Sequence, residues 1–113
     1  MESLKELYRI GRGPSSSHTM GPSHAAALFR EAFPQADSFQ ATLYGSLAKT
    51  GRGHLTDVAV KDAFAPLYAG VLFNTEVTEL KHPNTMELEA FQNGTSLGSW
   101  RVYSVGGGKI EIE

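Results

Sequence analysis

Apolar residues recur along this chain with two different periods, and the change of period divides it into elements. From Gly21 onward Ala25, Leu28, Phe29, Ala32 and Phe33 return at steps of three and four, the stripe by which a helix faces a core, and Pro34 closes it. Between Ser38 and Gly45 the period drops to two, with Phe39, Ala41 and Leu43 on one side, as in a half-buried strand. A third apolar set, Val58, Ala59, Ala63 and Phe64, ends at Pro66 and predicts another helix, for which Thr56 and Asp57 are both competent N-caps. Gly51-Arg52-Gly53-His54, just before it, reads as a flexible loop. The remainder predicts strands around Thr75 to Leu80, from Thr85 to Phe91 and from Leu97 to Val105, with a two-residue hairpin at Asn93-Gly94, and a last short strand from Ile110 to Ile112 after a glycine triplet. Ahead of all these, Ser3-Leu4-Lys5-Glu6 fits a capping box and predicts a short helix from Leu4 to about Ile10, broken by Gly11 to Pro14. Helices mostly first and antiparallel strands last imply an α+β two-layer sandwich, with a mostly antiparallel or mixed sheet and the helices on one face.

Composition narrows the chemistry. The 113 residues form one domain, residues 1–113, with room for one core and one cleft. A formal net charge of −2 supplies no broad cationic surface, so neither nucleic acid nor an anionic membrane is expected as a partner. With no cysteine the chain by itself offers no disulfide, no thiolate zinc site, no catalytic thiol and no ligands for an iron–sulfur cluster. The N-terminus lacks an apolar signal region and no stretch approaches the roughly 18 apolar residues of a membrane span, which leads to the expectation of a cytoplasmic protein. His18, His24, His54 and His82 do not form a compact metal signature, and no metal is assigned.

Three loops concentrate polar groups. In Gly11 to Pro22, glycines, the hydroxyls of Ser15, Ser16, Ser17 and Thr19, and a helix start behind them suit a small carboxylate or phosphate. The loop matches neither nucleotide-binding glycine pattern, and a solvent-exposed serine-rich cap would have the same composition. In Gly51 to Asp57, His54 carries an imidazole able to exchange a proton near neutrality, with Thr56 and Asp57 close in sequence to orient it; a surface histidine beside a capping aspartate reads the same way. In Lys81 to Met86, Pro83 stiffens a loop whose Asn84 both donates and accepts hydrogen bonds. Trp100 and Tyr103 fit sheet packing better than a stacking platform.

At these loops the chain resembles a known family. Ile10-Gly11-Arg12-Gly13-Pro14-Ser15-Ser16-Ser17-His18-Thr19-Met20-Gly21-Pro22 is similar to the GPSSSHT-x-GP signature of the β domain of bacterial iron–sulfur L-serine dehydratases, and Leu43 to Asp57 to that family's LYGSLA-x-TGKGH-x-TD run. His82 to Met86 and Tyr103 to Gly108 are similar to its HPNTM and YS-hydrophobic-GGG segments. The four matches come in order over nearly the whole chain, with Arg12, Ser23 and Arg52 at positions where the family varies.

The resemblance implies conversion of L-serine to pyruvate and ammonia without pyridoxal phosphate, by an enzyme whose cysteine-bearing α domain or α subunit holds a [4Fe–4S] cluster. It makes this chain the β half, a subunit or a fragment of a longer enzyme; self-association as a homo-oligomer is compatible with either. It further implies a fold like the allosteric substrate-binding domain of some phosphoglycerate dehydrogenases. Mapped by motif, His54, Thr56 and Asp57 carry or position proton transfer. Ser15, Ser16, Ser17, His18 and Thr19 line the carboxylate side, and His82 and Asn84 orient the substrate; base and acid are left undistinguished. The competing class is a regulatory module that binds serine or another small carboxylate without chemistry. Joint retention of His54, His82 and Asn84 favours the enzyme, because a sensor needs only the carboxylate clamp.

Overall fold

The structure is a computed structural model that describes residues 18–49, 52–77 and 79–113. The expected helix from Leu4 to Ile10, and Ser15, Ser16 and Ser17, lie outside these residues. Helix α1 spans Met20–Ala32 and α2 spans Arg52–Phe64. Strands β1 (Ser38–Tyr44), β2 (Tyr68–Asn74), β3 (Thr85–Gln92), β4 (Thr95–Gly106) and β5 (Lys109–Ile112) form one sheet in the order β2-β1-β3-β4-β5. Strand β2 runs parallel to β1, as a crossover through α2 requires, and the other neighbours are antiparallel. The result is the expected α+β sandwich with a mixed sheet.

Alternation places Phe39, Ala41 and Leu43 of β1 and Met86, Leu88 and Ala90 of β3 in the core, all at most 2% exposed. Opposite them α1 buries Ala25, Ala26 and Phe29, and α2 buries Thr56, Val60 and Phe64. Aromatic rings knit the two layers. Phe29 meets Phe39 and Trp100 edge-on, with centroids 6.1 and 5.0 Å apart, and Phe39 stacks on Phe64 at 4.1 Å. Burying each such side chain contributes about 1.5–3 kcal/mol. The β3–β4 hairpin turns at Asn93 (φ 53°) and Gly94 (φ 82°), the positive pair that a two-residue turn demands.

Three expectations are corrected. Arg52 to His54 are not a loop but the first turn of α2, so Thr56 and Asp57 sit inside the helix rather than at its N-cap. A glycine in a first turn weakens a helix without forbidding it, and packing of Val60 and Phe64 overrides the local signal. The strand expected from Thr75 to Leu80 is instead Tyr68–Asn74, and the described residues of the later stretch belong to no strand. Its described residues have no neighbouring strand to pair with, whereas Tyr68–Asn74 lies directly along β1.

Candidate functional site

Strand directions bring the motif segments to one end of the sheet. Tyr44 at the end of β1 pairs with Asn74 at the end of β2, Leu43 pairs with Met86 near the start of β3, and Thr85 pairs with Tyr103 near the end of β4. The glycine triplet joins β4 to β5 at this same end, with φ values of 105°, 63° and 81° at Gly106, Gly107 and Gly108 that L side chains rarely adopt. The start of α1 lies over it. The Cα of Gly21 abuts Ser104, where any β-carbon would collide with the hydroxyl, and Met20 packs over Gly108. His24 Nδ1 lies 3.4 Å from the Gly108 carbonyl oxygen.

Around His18 the two helices are tied together. His18 is buried immediately ahead of α1, and the fully buried Thr56 donates its hydroxyl to the His18 carbonyl at 2.6 Å. Thr19 follows, and its carbonyl accepts the Ser23 N–H at 2.9 Å. One turn of α2 away, Asp57 pairs with Lys61 at 3.1 Å. His54, in the first turn of α2, is exposed and presents its ring edge-on to Phe73 of β2, centroids 6.3 Å apart.

A second cluster forms where the loop before β3 meets β4. The Asn84 backbone N–H donates to His82 Nδ1 at 3.0 Å, which fixes a lone pair on Nδ1 and leaves the proton of a neutral ring on Nε2. Asn84 Nδ2 donates to the Ser104 carbonyl at 3.3 Å, and the Asn84 carbonyl accepts the Ser104 N–H at 3.0 Å. Thr85, fully buried, donates its hydroxyl to the His82 carbonyl at 2.5 Å. Asn84 Oδ1 and Ser104 Oγ are buried and have no hydrogen-bond partner among the described residues. The loop is also held from β1: Gly45, with φ 56°, abuts the Pro83 carbonyl, which accepts the Ser46 N–H at 2.8 Å. A cavity of about 570 Å³ opens beside this contact, between Gly45, Ser46, Lys49, Thr75, Leu80 and Pro83.

On the sheet face away from the helices a polar network borders the same end. Glu87 accepts from the Tyr44 hydroxyl at 3.2 Å and from Arg101 at 2.6 Å, and Glu113 accepts from the Tyr103 hydroxyl at 2.6 Å. Burial, then the Glu87 charge, pushes the Tyr44 phenol above its ordinary range; the Glu113 hydrogen bond does the same to Tyr103.

The structure therefore joins His18 to Thr56, and His82 to Asn84, in two clusters at one end. It does not bring His54 against His82. They rest on β2 and β4, three strand spacings or about 14 Å apart across the sheet. Ser104 and Gly45 are the residues that motif reading left without a role. The signal for them lay in their type, a serine and a glycine inside otherwise apolar segments. Among the described residues no group of three or more metal-ligating side chains gathers, and no helix is long and apolar enough to cross a membrane.

The profile of the serine dehydratase beta chain family matches residues 3–65. An L-serine dehydratase of Helicobacter pylori strain J99 is 43% identical over 95 residues, covering 80% of this chain and 20% of that protein. L-serine dehydratase TdcG of Escherichia coli K12 is 31% identical over 155 aligned residues, covering 100% of this chain and 34% of that protein. The chain thus spans about a fifth to a third of the length of these relatives.

Proposed function

Because the chain belongs to the serine dehydratase beta chain family, we propose that it is the β part of an L-serine dehydratase, contributing substrate-binding and proton-transfer groups to a site completed by a cysteine-bearing α domain or subunit. The observation that carries this reading is the convergence of the motif segments on one end of the sheet, although contacting members such as Met20 and Gly108 are 88 residues apart in the chain. A domain with only a structural role has no need to gather His18, Thr56, His82, Asn84 and Ser104 there.

Elimination of water from serine needs a clamp for the carboxylate, a base for the α-proton and help for the departing hydroxide. The start of α1, with Ser15, Ser16, Ser17, His18 and Thr19 ahead of it, suits the carboxylate, since helix N-termini favour anions. His82, fixed with Nε2 as donor, and Asn84, with its Oδ1 still able to accept, suit the polar ends of an amino acid. His54 is the proton-transfer candidate, exposed at the rim where a second domain can reach it. Thr56 positions the His18 backbone, and Asp57 restrains the same turn. A [4Fe–4S] cluster does not fit this chain, which has no thiolate, and belongs in the proposal to the α part, where its open iron would supply Lewis acidity to the serine hydroxyl.

In the assembled enzyme His54→Ala is expected to lower turnover by roughly 10²-fold or more while cluster absorbance and folding are unchanged. Near-normal turnover would return His54 to a surface role. Calorimetry of the 113-residue chain alone with L-serine tests the competing class: clear binding without the α part supports a regulatory module.

A further inference from the structure

Val102 belongs to the core, so Tyr103, the next residue of β4, points to the sheet face that carries no helix. Arg101 and Glu87, on the same face, keep more than a third of their side-chain surface exposed. Tyr103 is only 5% exposed. The loop before β3 covers it, with the Lys81 amino group 5.9 Å from the ring centroid and the His82 imidazole 6.4 Å away at an interplanar angle of 47°. The phenol is tied down in turn: its hydroxyl donates to Glu113 Oε1 at 2.6 Å, Arg101 Nε lies 3.8 Å from the same oxygen, and Arg101 bonds Glu87 of β3 at 2.6 Å. A hydroxyl committed to Glu113 has no proton to offer a substrate, so what Tyr103 contributes to the site passes through its ring.

His82 needs such a support. The Asn84 N–H bond to Nδ1 fixes one edge of the imidazole and leaves the ring free to tilt about that edge. A second ring packed against it removes that freedom, and among the described residues Tyr103 is the ring that does so. We propose that Tyr103 is the positioning residue of His82, its ring holding the imidazole so that the Nε2 proton keeps one direction. The proposal rests on the reading of His82 as a group that orients substrate, a role that requires the group to be held within about 10–20° of its productive angle. The chain of contacts from Glu87 through Arg101 and Glu113 to Tyr103 makes the platform rigid, since it anchors the ring to β3 as well as to its own strand.

The ring contact is tested by magnetic resonance on the 113-residue chain with isotope-labelled histidine, the His82 signals being assigned by their loss in His82→Gln. Nuclear Overhauser contacts between the His82 and Tyr103 rings are expected, with a single neutral-ring tautomer carrying its proton on Nε2. Tyr103→Phe, which keeps the ring, should keep that tautomer; Tyr103→Leu should mix it with the other while the remaining signals of β3 and β4 are unchanged. Absence of the ring contacts in the parent protein would overturn the proposal whether or not the leucine variant folds, and so would a single tautomer in Tyr103→Leu. In the assembled enzyme Tyr103→Leu is expected to raise KM for serine roughly tenfold, about what one ordinary hydrogen bond carries, with kcat near the parent value, and Tyr103→Phe to retain the parent KM. A raised KM in His82→Gln beside an unchanged KM in Tyr103→Leu would overturn the positioning role alone. An unchanged KM in His82→Gln would overturn the reading of His82 and the positioning role with it.

Discussion

Thr56 shows how a single hydroxyl serves the candidate site without facing it. The residue is fully buried in α2, and its hydroxyl gives its proton to the main chain of His18, thirty-eight positions earlier. Replacing it with valine keeps the shape but leaves a buried carbonyl without that donor, which costs about 1–3 kcal/mol. Thr56→Val is thus expected to lower the urea midpoint and to loosen the start of α1, read as faster hydrogen exchange at Ser23, whose N–H bonds to Thr19. Serine in the same place, retaining the hydroxyl, should recover most of the loss. The type of this residue, but not its task, was legible in the sequence. A threonine beside an aspartate near a helix start reads as a cap, and only the packing of α2 against α1 turns its hydroxyl inward. His82 was more legible because Pro83 holds the Asn84 N–H within reach of its ring in one short loop, whereas the bonds of Asn84 to Ser104 on β4 carry no local signal.

Among the elements, the loop after β1 and the loop before β3 behave as one unit, because Gly45 lets the Pro83 carbonyl reach the Ser46 N–H. Gly45→Ala would place a β-carbon against that carbonyl and force a left-handed φ on a residue that disfavours it, at about 1–2 kcal/mol for the backbone alone. The expected outcome is a loss of stability above that figure, with hydrogen-exchange protection lost at Ser46 while β4 is unaffected. Unchanged protection at Ser46 would show that the loops dock independently. Strands with one buried face, β1 and β3, were readable from alternation, and the Asn93-Gly94 hairpin from its turn residues. Strand β2 was not. It lies at an edge, partly under α2 and partly open, and Tyr68 to Asn74 shows a short apolar run without the alternation of a half-buried strand, a pattern that periodicity alone does not assign. The start of α2 was misread for a related reason: its outward face carries Leu55 and Val58, so its apolar residues do not fall on one stripe.

Over the whole molecule, the sheet face without helices is held by charge and phenol rather than by apolar packing. Tyr44, Glu87 and Arg101 link β1, β3 and β4, and Tyr103 and Arg101 hold Glu113 at the chain end. Such partly exposed ion pairs contribute little each, but the two phenols tie stability to alkaline pH. Burial, with the Glu87 charge and hydrogen bond, raises the Tyr44 value above 10.0, and the Glu113 hydrogen bond raises that of Tyr103. The folded chain therefore keeps protons that the unfolded chain has released, and the unfolded state binds fewer protons throughout that interval. Stability must then fall as pH rises. The contribution is complete below the unfolded phenol value of 10.0 and is lost as pH climbs through the higher folded values. Urea midpoints measured at rising alkaline pH are expected to decline beyond this point, together with a late tyrosinate absorbance change in the folded protein. In Tyr44→Phe carrying also Tyr103→Phe the decline should be shallower, since neither ring can ionise; an equally steep decline in that double variant would place the alkaline sensitivity outside the network.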